Sequence, residues 1–437
     1  MTVFDEVEEY NPFIDGSVPD EVERLNITFR NVDFIGNAAA RGEATSGAIS
    51  IGEEVNAQVL GCKFEKNEGD SGGAIRFTGR TLALENSTFV ENIAEKTGGA
   101  IFALHPDPSD NENSTISMTD CHFTRNRVRR GGEDRTSFVS SDPSLIEDNQ
   151  QITFNAPSPS GGALYISDFH TLTVENSAFT ENTAVPAGGA FYLNAIGSTS
   201  FTGCQFRRNS VLLSSDRDVM KLQQGGAIYG TFSAANVGVQ FSQCSFTENR
   251  ATFGGALHFL GPDNTALSIE SCRFGDNLAA VGGGAVVLRH MHLPAFRATV
   301  FTNNSAVLGG AMFITNGGGM EVREPEPEIE TIPTFQDNVA FDGGAIFANG
   351  AGNLIFGKSI FRRNRAERNG GALCIINSDS GGGLVIQDAL LSDNTAIAGG
   401  AIFAENTPSL FMNSGTRDKN AAFVGEGGEL RTNEFIR

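Results

Sequence analysis

The 437-residue chain contains no Trp and only 4 Tyr, against 34 Phe. An aromatic complement this lopsided is foreign to an ordinary multidomain enzyme, although length alone would suggest about three domains at roughly 150 residues each. No stretch approaches the ~18 consecutive apolar residues of a membrane-spanning helix, which excludes one. Only 14 Pro accompany 52 Gly, and the Gly residues keep no three-residue period, so a collagen-like chain is excluded. Basic residues are scarce: 31 Lys and Arg face 52 Asp and Glu, a formal net charge of −21. A phosphate backbone needs a basic face, so nucleic acid is excluded as a partner. Cationic or divalent-metal partners suit such a surface better. Charged residues nevertheless make up only 19% of the chain and hydrophobic residues 40%, which excludes a disordered chain. Met1 to Asp15 is acidic and lacks both a positive n-region and an apolar h-region, so it does not read as a secretory leader.

What the chain has in abundance is repetition, and repeats take precedence over every other signal. The first motif is Phe-x-x-Asn, at Phe34/Asn37, Phe64/Asn67, Phe89/Asn92, Phe123/Asn126, Phe179/Asn182 and Phe206/Asn209. It continues at Phe246/Asn249, Phe274/Asn277, Phe301/Asn304, Phe335/Asn338 and Phe361/Asn364, with Leu391/Asn394 as a conservative copy. The second is Gly-Gly-Ala followed by an apolar residue, as at Gly72, Gly98, Gly188, Gly254 and Gly399, with Ser46-Gly47-Ala48-Ile49 a variant and Gly427-Gly428-Glu429-Leu430 a decayed copy. The two alternate along the chain. Phe64 to Phe89 is 25 residues and Phe246 to Phe274 is 28.

The unit has an internal grammar. Two residues before the Phe stands a small residue, in five units a Cys: Cys62, Cys121, Cys204, Cys244 and Cys272. Positions i and i−2 of a strand share a face, so the small residue and the Phe both point inward. Five residues before the Phe stands an apolar residue, such as Val59, Leu84 or Phe241, separated from it by polar or Gly turn residues. Each unit therefore holds two or three short strands joined by tight corners, with no room for a helix. A unit this small buries its apolar face only by stacking on its neighbours. The predicted fold is all-β: a right-handed parallel β-helix, a solenoid of the pectate-lyase-like kind, with about 12–13 coils spaced at ~4.8 Å and a rod on the order of 60 Å long. The Phe residues stack into an internal ladder. Asn is expected to occupy a left-handed corner and to bond along the axis, and Gly-Gly to give a corner with positive φ.

Residues 27–430 form one repeat domain in this reading, with 1–26 as an N-terminal segment or cap and 431–437 as a tail. Insertions interrupt it at 104–115, 127–160, 210–224 and 318–333. The segments 127–160 and 210–224 fall at one corner, between Asn and Gly-Gly, two coils apart. The segments 104–115 and 318–333 fall at a second corner, after Gly-Gly-Ala. Inserted loops on a rigid scaffold are where binding functions sit. Glu321 to Glu330 makes the last loop acidic, a contact suited to Ca²⁺ or a cationic partner and equally to plain solvation.

Alternating Gly-Gly-Ala-(Ile/Leu/Val) and Phe-x-x-Asn resembles the polymorphic outer-membrane protein repeats of the chlamydial type, over roughly residues 27–430. The resemblance implies a β-helical passenger at a cell surface or in the extracellular space, often an adhesin, whose partner is a protein or carbohydrate on another surface. Family members typically add a signal peptide and a C-terminal membrane barrel. Phe411 to Arg437 is too short and too polar to be such a barrel.

There is no C-x-x-C for zinc, no P-loop and no G-x-S-x-G elbow. His290 and His292 form an H-x-H without a third ligand at motif spacing. Cys244 and Cys272 lie in consecutive units and are candidates for a bridge, against the simpler reading of a ladder of buried thiols. The position two after the Phe carries Lys66, Glu91, Arg125, Glu181, Arg208 and Glu248, alternating in sign and so penalising slipped registers. The alternation breaks at Glu248 and Asp276, followed by Asn303 and Asp337. Carboxylates on adjacent coils suit a retaining glycosidase, so Glu248, Asp276 and Asp337 are the fallback catalytic residues. The favoured expectation is a non-enzymatic, cofactor-free surface protein that binds through inserted loops. A polysaccharide lyase or glycoside hydrolase and a passive spacer are the alternatives.

Overall fold

The computed structural model describes residues 25–431 apart from 40–44, 54, 107–113, 130–159, 213–222, 233–237, 262–264, 292–293, 318, 324–330, 379–381, 414–415, 419–420 and 423–429. Among the described residues there is no helix. The strands form a right-handed parallel β-helix built from three 13-stranded sheets, with a fourth face divided between a 7-stranded and a 4-stranded sheet.

One coil shows the plan. Val55–Leu60 belongs to a leading sheet, Lys63–Glu65 to a Phe sheet, Glu68–Ser71 to an Asn sheet and Ile75–Phe77 to a Gly sheet. The next coil repeats it with Thr81–Glu85, Thr88–Val90, Ile93–Thr97 and Ile101–Leu104. Coils stack in parallel and in register: Val59 pairs with Leu84, Phe64 with Phe89, Glu68 with Ile93 and Ile75 with Ile101. Regular coils thus hold four strands rather than two or three. The extra strand follows the Asn, where sequences such as Glu-Gly-Asp-Ser have little strand propensity. The ladder of neighbours imposes the conformation there.

Inside, the Phe-x-x-Asn rings stack face to face. Phe64–Phe89 centroids are 4.7 Å apart, Phe89–Phe123 4.5 Å, Phe246–Phe274 4.7 Å and Phe335–Phe361 4.8 Å. Phe34, Phe179, Phe206 and Phe301 lie in the same column. Beside it runs a buried Asn column. Asn67 donates from Nδ2 to the Phe34 carbonyl at 2.9 Å and to Asn92 Oδ1 at 2.9 Å, while its backbone N–H donates to the same Oδ1 at 3.0 Å. The pattern recurs at Asn92, Asn126, Asn182, Asn209, Asn249, Asn277, Asn304, Asn338 and Asn364. Each buried carboxamide thereby satisfies its donors and its acceptor, which a polar group at zero exposure requires.

The Asn does not take the left-handed corner. That conformation falls one residue earlier, at Lys66 (φ 54), Glu91 (φ 55), Arg125 (φ 54), Arg208 (φ 53) and Glu248 (φ 58). The reason is geometric: an Asn that bonds both adjacent coils must aim inward, so the reversal passes to its solvent-facing neighbour. The Gly-Gly corner divides its work. Gly98 has φ 60, and a Cβ on Gly99 would overlap the Gly162 carbonyl oxygen of the next coil, so the first Gly supplies the turn and the second the close approach.

The insertions also resolve differently in part. Met320–Arg323 is a leading-sheet strand, paired with Ala295–Arg297 and Leu354–Phe356. The extra chain in 318–333 therefore lies at the next corner, before Thr334–Gln336, rather than directly after the Gly sheet. Most of 104–115, 127–160 and 210–224 lies outside the described residues, as does most of 1–26 and 431–437, although Leu25 and Asn26 already belong to the first strand.

Candidate functional site

The left-handed corner residues emerge on one edge of the rod, between the Phe sheet and the Asn sheet. Their side chains form ion pairs along the axis. Arg125 meets Glu91 at 2.9 Å, Lys66 lies 3.9 Å from Glu91, and Arg208 lies 3.7 Å from Glu181. These pairs are solvent-exposed, so screening by water and salt leaves each of them weak.

The edge becomes concave where the alternation of sign breaks. Arg208, Glu248, Asp276, Arg250, Leu212 and Leu278 line a cleft of about 600 Å³. Its floor is the buried Asn249, and its wall is the start of the 210–224 insertion. Arg208 Nε donates to Glu248 Oε2 at 2.7 Å, and Arg207 donates to Oε1 from Nε at 3.2 Å and from Nη2 at 3.1 Å. The Arg208 guanidinium, with Arg207 beside it, holds the Glu248 carboxyl below the usual carboxylate range. Asp276 is exposed on the next coil and shares the cleft. The cleft thus sets a clamped carboxylate and an open one against arginine and two aliphatic side chains.

Asp337 lies outside the cleft. Arg363 grips it with two bonds, Nε to Oδ1 at 2.7 Å and Nη2 to Oδ2 at 2.8 Å, and Gln336 donates to Oδ2 at 2.8 Å. The bonded Arg363 lowers its pKa. Asp276 and Asn303 occupy the corner positions between it and Glu248. Three coil spacings of ~4.8 Å separate Asp337 from Glu248, so the three fallback carboxylates do not converge. His290 is exposed at a left-handed corner (φ 52), and His292 lies outside the described residues. No group of three or more His, Cys, Asp or Glu among the described residues is arranged to hold a metal ion.

The six cysteines are buried free thiols. Cys204, Cys244 and Cys272 stand in consecutive coils, and the Cys244 N–H donates to Cys272 Sγ at 3.4 Å. The five thiols that stand two residues before a Phe each turn back to the carbonyl two residues before them, as Cys121 does to Thr119 at 3.3 Å. Burial pushes the Cys121 thiol up to about 11. The Cys244 thiol rises to about 12, where the Cys272 contact and burial outweigh the opposing hydrogen bond with Cys204, the largest single influence.

Two features escaped the sequence reading. One is the arginine clamp on Glu248, in which Arg207 lies outside the repeating motif. The other is a second aromatic row on the outer side of the Gly sheet: Phe102, Tyr165, Tyr192, Tyr229 and His258, with successive centroids 5.2, 5.5, 5.0 and 5.5 Å apart. Arg76 caps the row, 5.6 Å from the Phe102 centroid. Its signal was present, because the second residue after each Gly-Gly-Ala is aromatic in most units. Phe102 is half-buried, but the rest of the row is buried, with Tyr229 only 1% exposed.

Among the described residues no helix is long and apolar enough to cross a membrane. No curated protein and no solved structure matches the chain. Residues 86–104, which run from the bend before Phe89 to the end of the Gly-Gly-Ala strand, match the family model of the Chlamydia polymorphic membrane protein repeat, the family whose motifs the sequence resembles.

Proposed function

We propose that this chain is a non-enzymatic, surface-exposed β-helix that binds a protein or carbohydrate of another surface at the insertion-bearing edge of the rod. The observation that carries the reading is the cleft at the foot of the 210–224 insertion, where Arg208, Arg250, Asp276 and the aliphatic Leu212 and Leu278 face solvent together. The repeat match at residues 86–104 supports a surface setting. A rigid rod with variable loops at one corner is the arrangement in which loops bind and the scaffold positions them.

The second reading, a polysaccharide-cleaving enzyme, draws on Glu248 and Asp276 sharing that cleft. Against it stands the arginine clamp. A carboxyl held ionised by two guanidinium groups is a poor proton donor at neutral pH.

The test uses the purified full chain on a glycan array and on cell-surface protein panels, in parallel with a reducing-end assay on acidic and neutral polysaccharides. The expected result is binding that Arg250→Glu and replacement of 213–222 by a short Gly-Ser link both abolish, without product release. Product release lost in Glu248→Gln or Asp276→Asn establishes the enzyme instead. Binding that survives both cleft variants removes the cleft from the account.

A further inference from the structure

Ten large hydrophobic side chains are exposed among the described residues. Leu25, Val32 and Ile35 belong to the first coil and Phe411 to the last, where the stack ends. The other six, Leu212, Leu278, Val307, Val339, Phe341 and Ile397, share one surface, the outward side of the Asn sheet. The fold does not require this. Nearer the first coil the same side carries ion pairs instead: Arg129 with Glu68 and, at 3.0 Å, with Glu95, and Lys96 with Asp70 at 3.1 Å. Register resolves the apolar strip into two columns. The first runs Arg250, Leu278, Ser305, Val339, Arg365. The second stands two residues further along each strand, on the same face: Thr252, Ala280, Val307, Phe341, Glu367. Exposed apolar surface that is gathered in this way marks an interaction site.

The charges within the strip say what covers it. Arg365 in the first column and Glu367 in the second stand on one coil, both exposed and opposite in sign. Neither forms an ion pair among the described residues. Arg368, in the bulge beside them, is already committed. Its Nε donates to Asp342 Oδ1 at 3.0 Å, and its guanidinium lies 5.0 Å from the Phe341 ring centroid. The strip thus offers one open cation and one open anion at the same height, one in each column.

We propose that the strip binds a second copy of this chain, with the two rods parallel. A two-fold axis along the rods lays the first column of each copy over the second column of the other, coil by coil. Arg365 of each copy then meets Glu367 of the other, so both open charges are paired, twice over. On the coils between, Val339 meets Phe341, Ser305 meets Val307 and Leu278 meets Ala280. Arg250 stands opposite Thr252, which is buried and uncharged. The antiparallel arrangement that overlays the same strip sets Arg250 against Arg365, and like charges brought together disfavour it. Leu212 and Leu278 also line the cleft, so the two copies meet along its rim. Between the coils of Leu212 and Ile397 lie six coil spacings. At ~4.8 Å each the strip is about 29 Å long, and two columns ~6.6 Å apart with their side chains make it about 15 Å wide. The pair therefore covers roughly 900 Å² in total, well under the ~1,600 Å² of a standard interface, which makes it a weak pair forming at about 10–100 μM. The formal charge of −21 on each copy opposes approach at long range. Salt at about 0.15 M screens that repulsion beyond ~8 Å and leaves the contact itself.

The experiment is sedimentation equilibrium of the full chain from about 5 to about 500 μM in about 0.15 M salt. Wild type is compared with Val307→Asp, Arg365→Glu, Glu367→Arg and, on the leading sheet, Ser117→Asp, and circular dichroism verifies each fold. Wild type and Ser117→Asp are expected to form dimers. Val307→Asp, Arg365→Glu and Glu367→Arg are each expected to weaken the dimer at least about tenfold. An equimolar mixture of the last two is expected to recover it to within about threefold of wild type. The first of these carries two carboxylates at that coil and the second two guanidinium groups, so only the mixed pair matches, and a folding defect cannot produce the recovery. Wild type that stays monomeric at about 500 μM overturns the proposal. So does pairing that Val307→Asp leaves unchanged, which puts the contact on another face. A mixture no better than its components overturns the parallel arrangement, and species larger than a dimer overturn the two-fold.

Discussion

Replacing Asn209 by Ala tests what holds the coils together. Asn209 Nδ2 donates to the Phe179 carbonyl at 2.8 Å and to Asn249 Oδ1 at 3.1 Å. Its Oδ1 accepts the Asn182 backbone N–H at 3.1 Å and Asn182 Nδ2 at 3.0 Å. Truncation leaves three buried groups without these partners, the Phe179 carbonyl, the Asn182 N–H and one Asn182 Nδ2 proton, while Asn249 Oδ1 loses one donor and keeps the Asn209 backbone N–H. At about 1–3 kcal/mol for each buried group left unsatisfied, and allowing the carbonyl its second lone pair, the loss is about 3–6 kcal/mol. Asn37, at the exposed end of the column, donates only to Asn67 Oδ1, so Asn37→Ala is expected to cost only about 0.5–1.5 kcal/mol. Asn209→Asp is worse than Ala at neutral pH, because an acceptor then faces the Phe179 carbonyl and Asn249 Oδ1. Its folded-state pKa is raised, so the penalty shrinks as pH falls and the protonated carboxyl regains a donor. Urea unfolding followed by circular dichroism gives the global loss, and hydrogen exchange at the Asn182 amide gives the local one. Equal effects of Asn209→Ala and Asn37→Ala, or an Asn209→Ala cost below about 1 kcal/mol, would refute the ladder as a main source of cohesion.

Two further predictions follow from the corners. Gly99→Ala puts a Cβ against the Gly162 carbonyl oxygen and 2.7 Å from the Arg127 nitrogen, both backbone; it is expected to lower stability by about 3 kcal/mol. Gly52→Ala, with nothing within 4 Å, is expected to change it by less than about 0.5 kcal/mol; paired urea midpoints decide, and equal shifts contradict the close-approach argument. The clamped carboxylates predict acid lability. Glu248 is lowered by Arg208 and then Arg207, and Asp337 by Arg363. A depressed folded-state pKa gives stability that is present above the ordinary carboxylate range and lost as pH falls through the folded value. The Tm difference between wild type and Arg363→Met should therefore be seen at neutral pH and disappear in strong acid, and a difference that persists there rules out the ion pair as its source.

The fold was legible because the interior obeys a strict period. Phe64, Phe89 and their successors sit in identical surroundings, so the same residue recurs, and stacking follows from recurrence. The Asn column was legible as a column but misread in its backbone. Asn is common at left-handed corners, and that local preference hid the demand of two adjacent coils on one carboxamide. Lys66 and Glu91 were seen as a charge pattern and not as residues of positive φ, because neither type favours that conformation. The strand after the Asn was missed for a related reason: residues such as Glu68–Ser71 are held by neighbours, not by propensity. At the candidate site Glu248 and Asp276 could be placed on adjacent coils from spacing alone. The clamp could not, because it depends on the rotamers of Arg207 and Arg208, which follow no period.

The same physics explains why different faces of one rod carry different chemistry. The inward residue of every strand is fixed by stacking, and the second Gly of each corner by backbone contact. The outward residues answer only to their neighbours one coil above and below. A change at one outward position therefore propagates along the axis, through matched pairs, and not around the coil. Selection acting on such a scaffold produces rows, each with its own chemistry. The charged edge from Lys66 to Asp337, the aromatic row from Phe102 to His258 and the hydroxyl row of Thr81, Thr115 and Thr171 on the leading sheet lie on different faces of shared coils. If rows are the unit of function, paired substitutions in vertical register, such as Thr115 with Thr171, should be strongly non-additive in any surface-binding assay. Pairs on different faces of one coil, such as Thr171 with Glu181, should add within about 0.5 kcal/mol. The reverse outcome would make the coil, and not the row, the unit on which function is built.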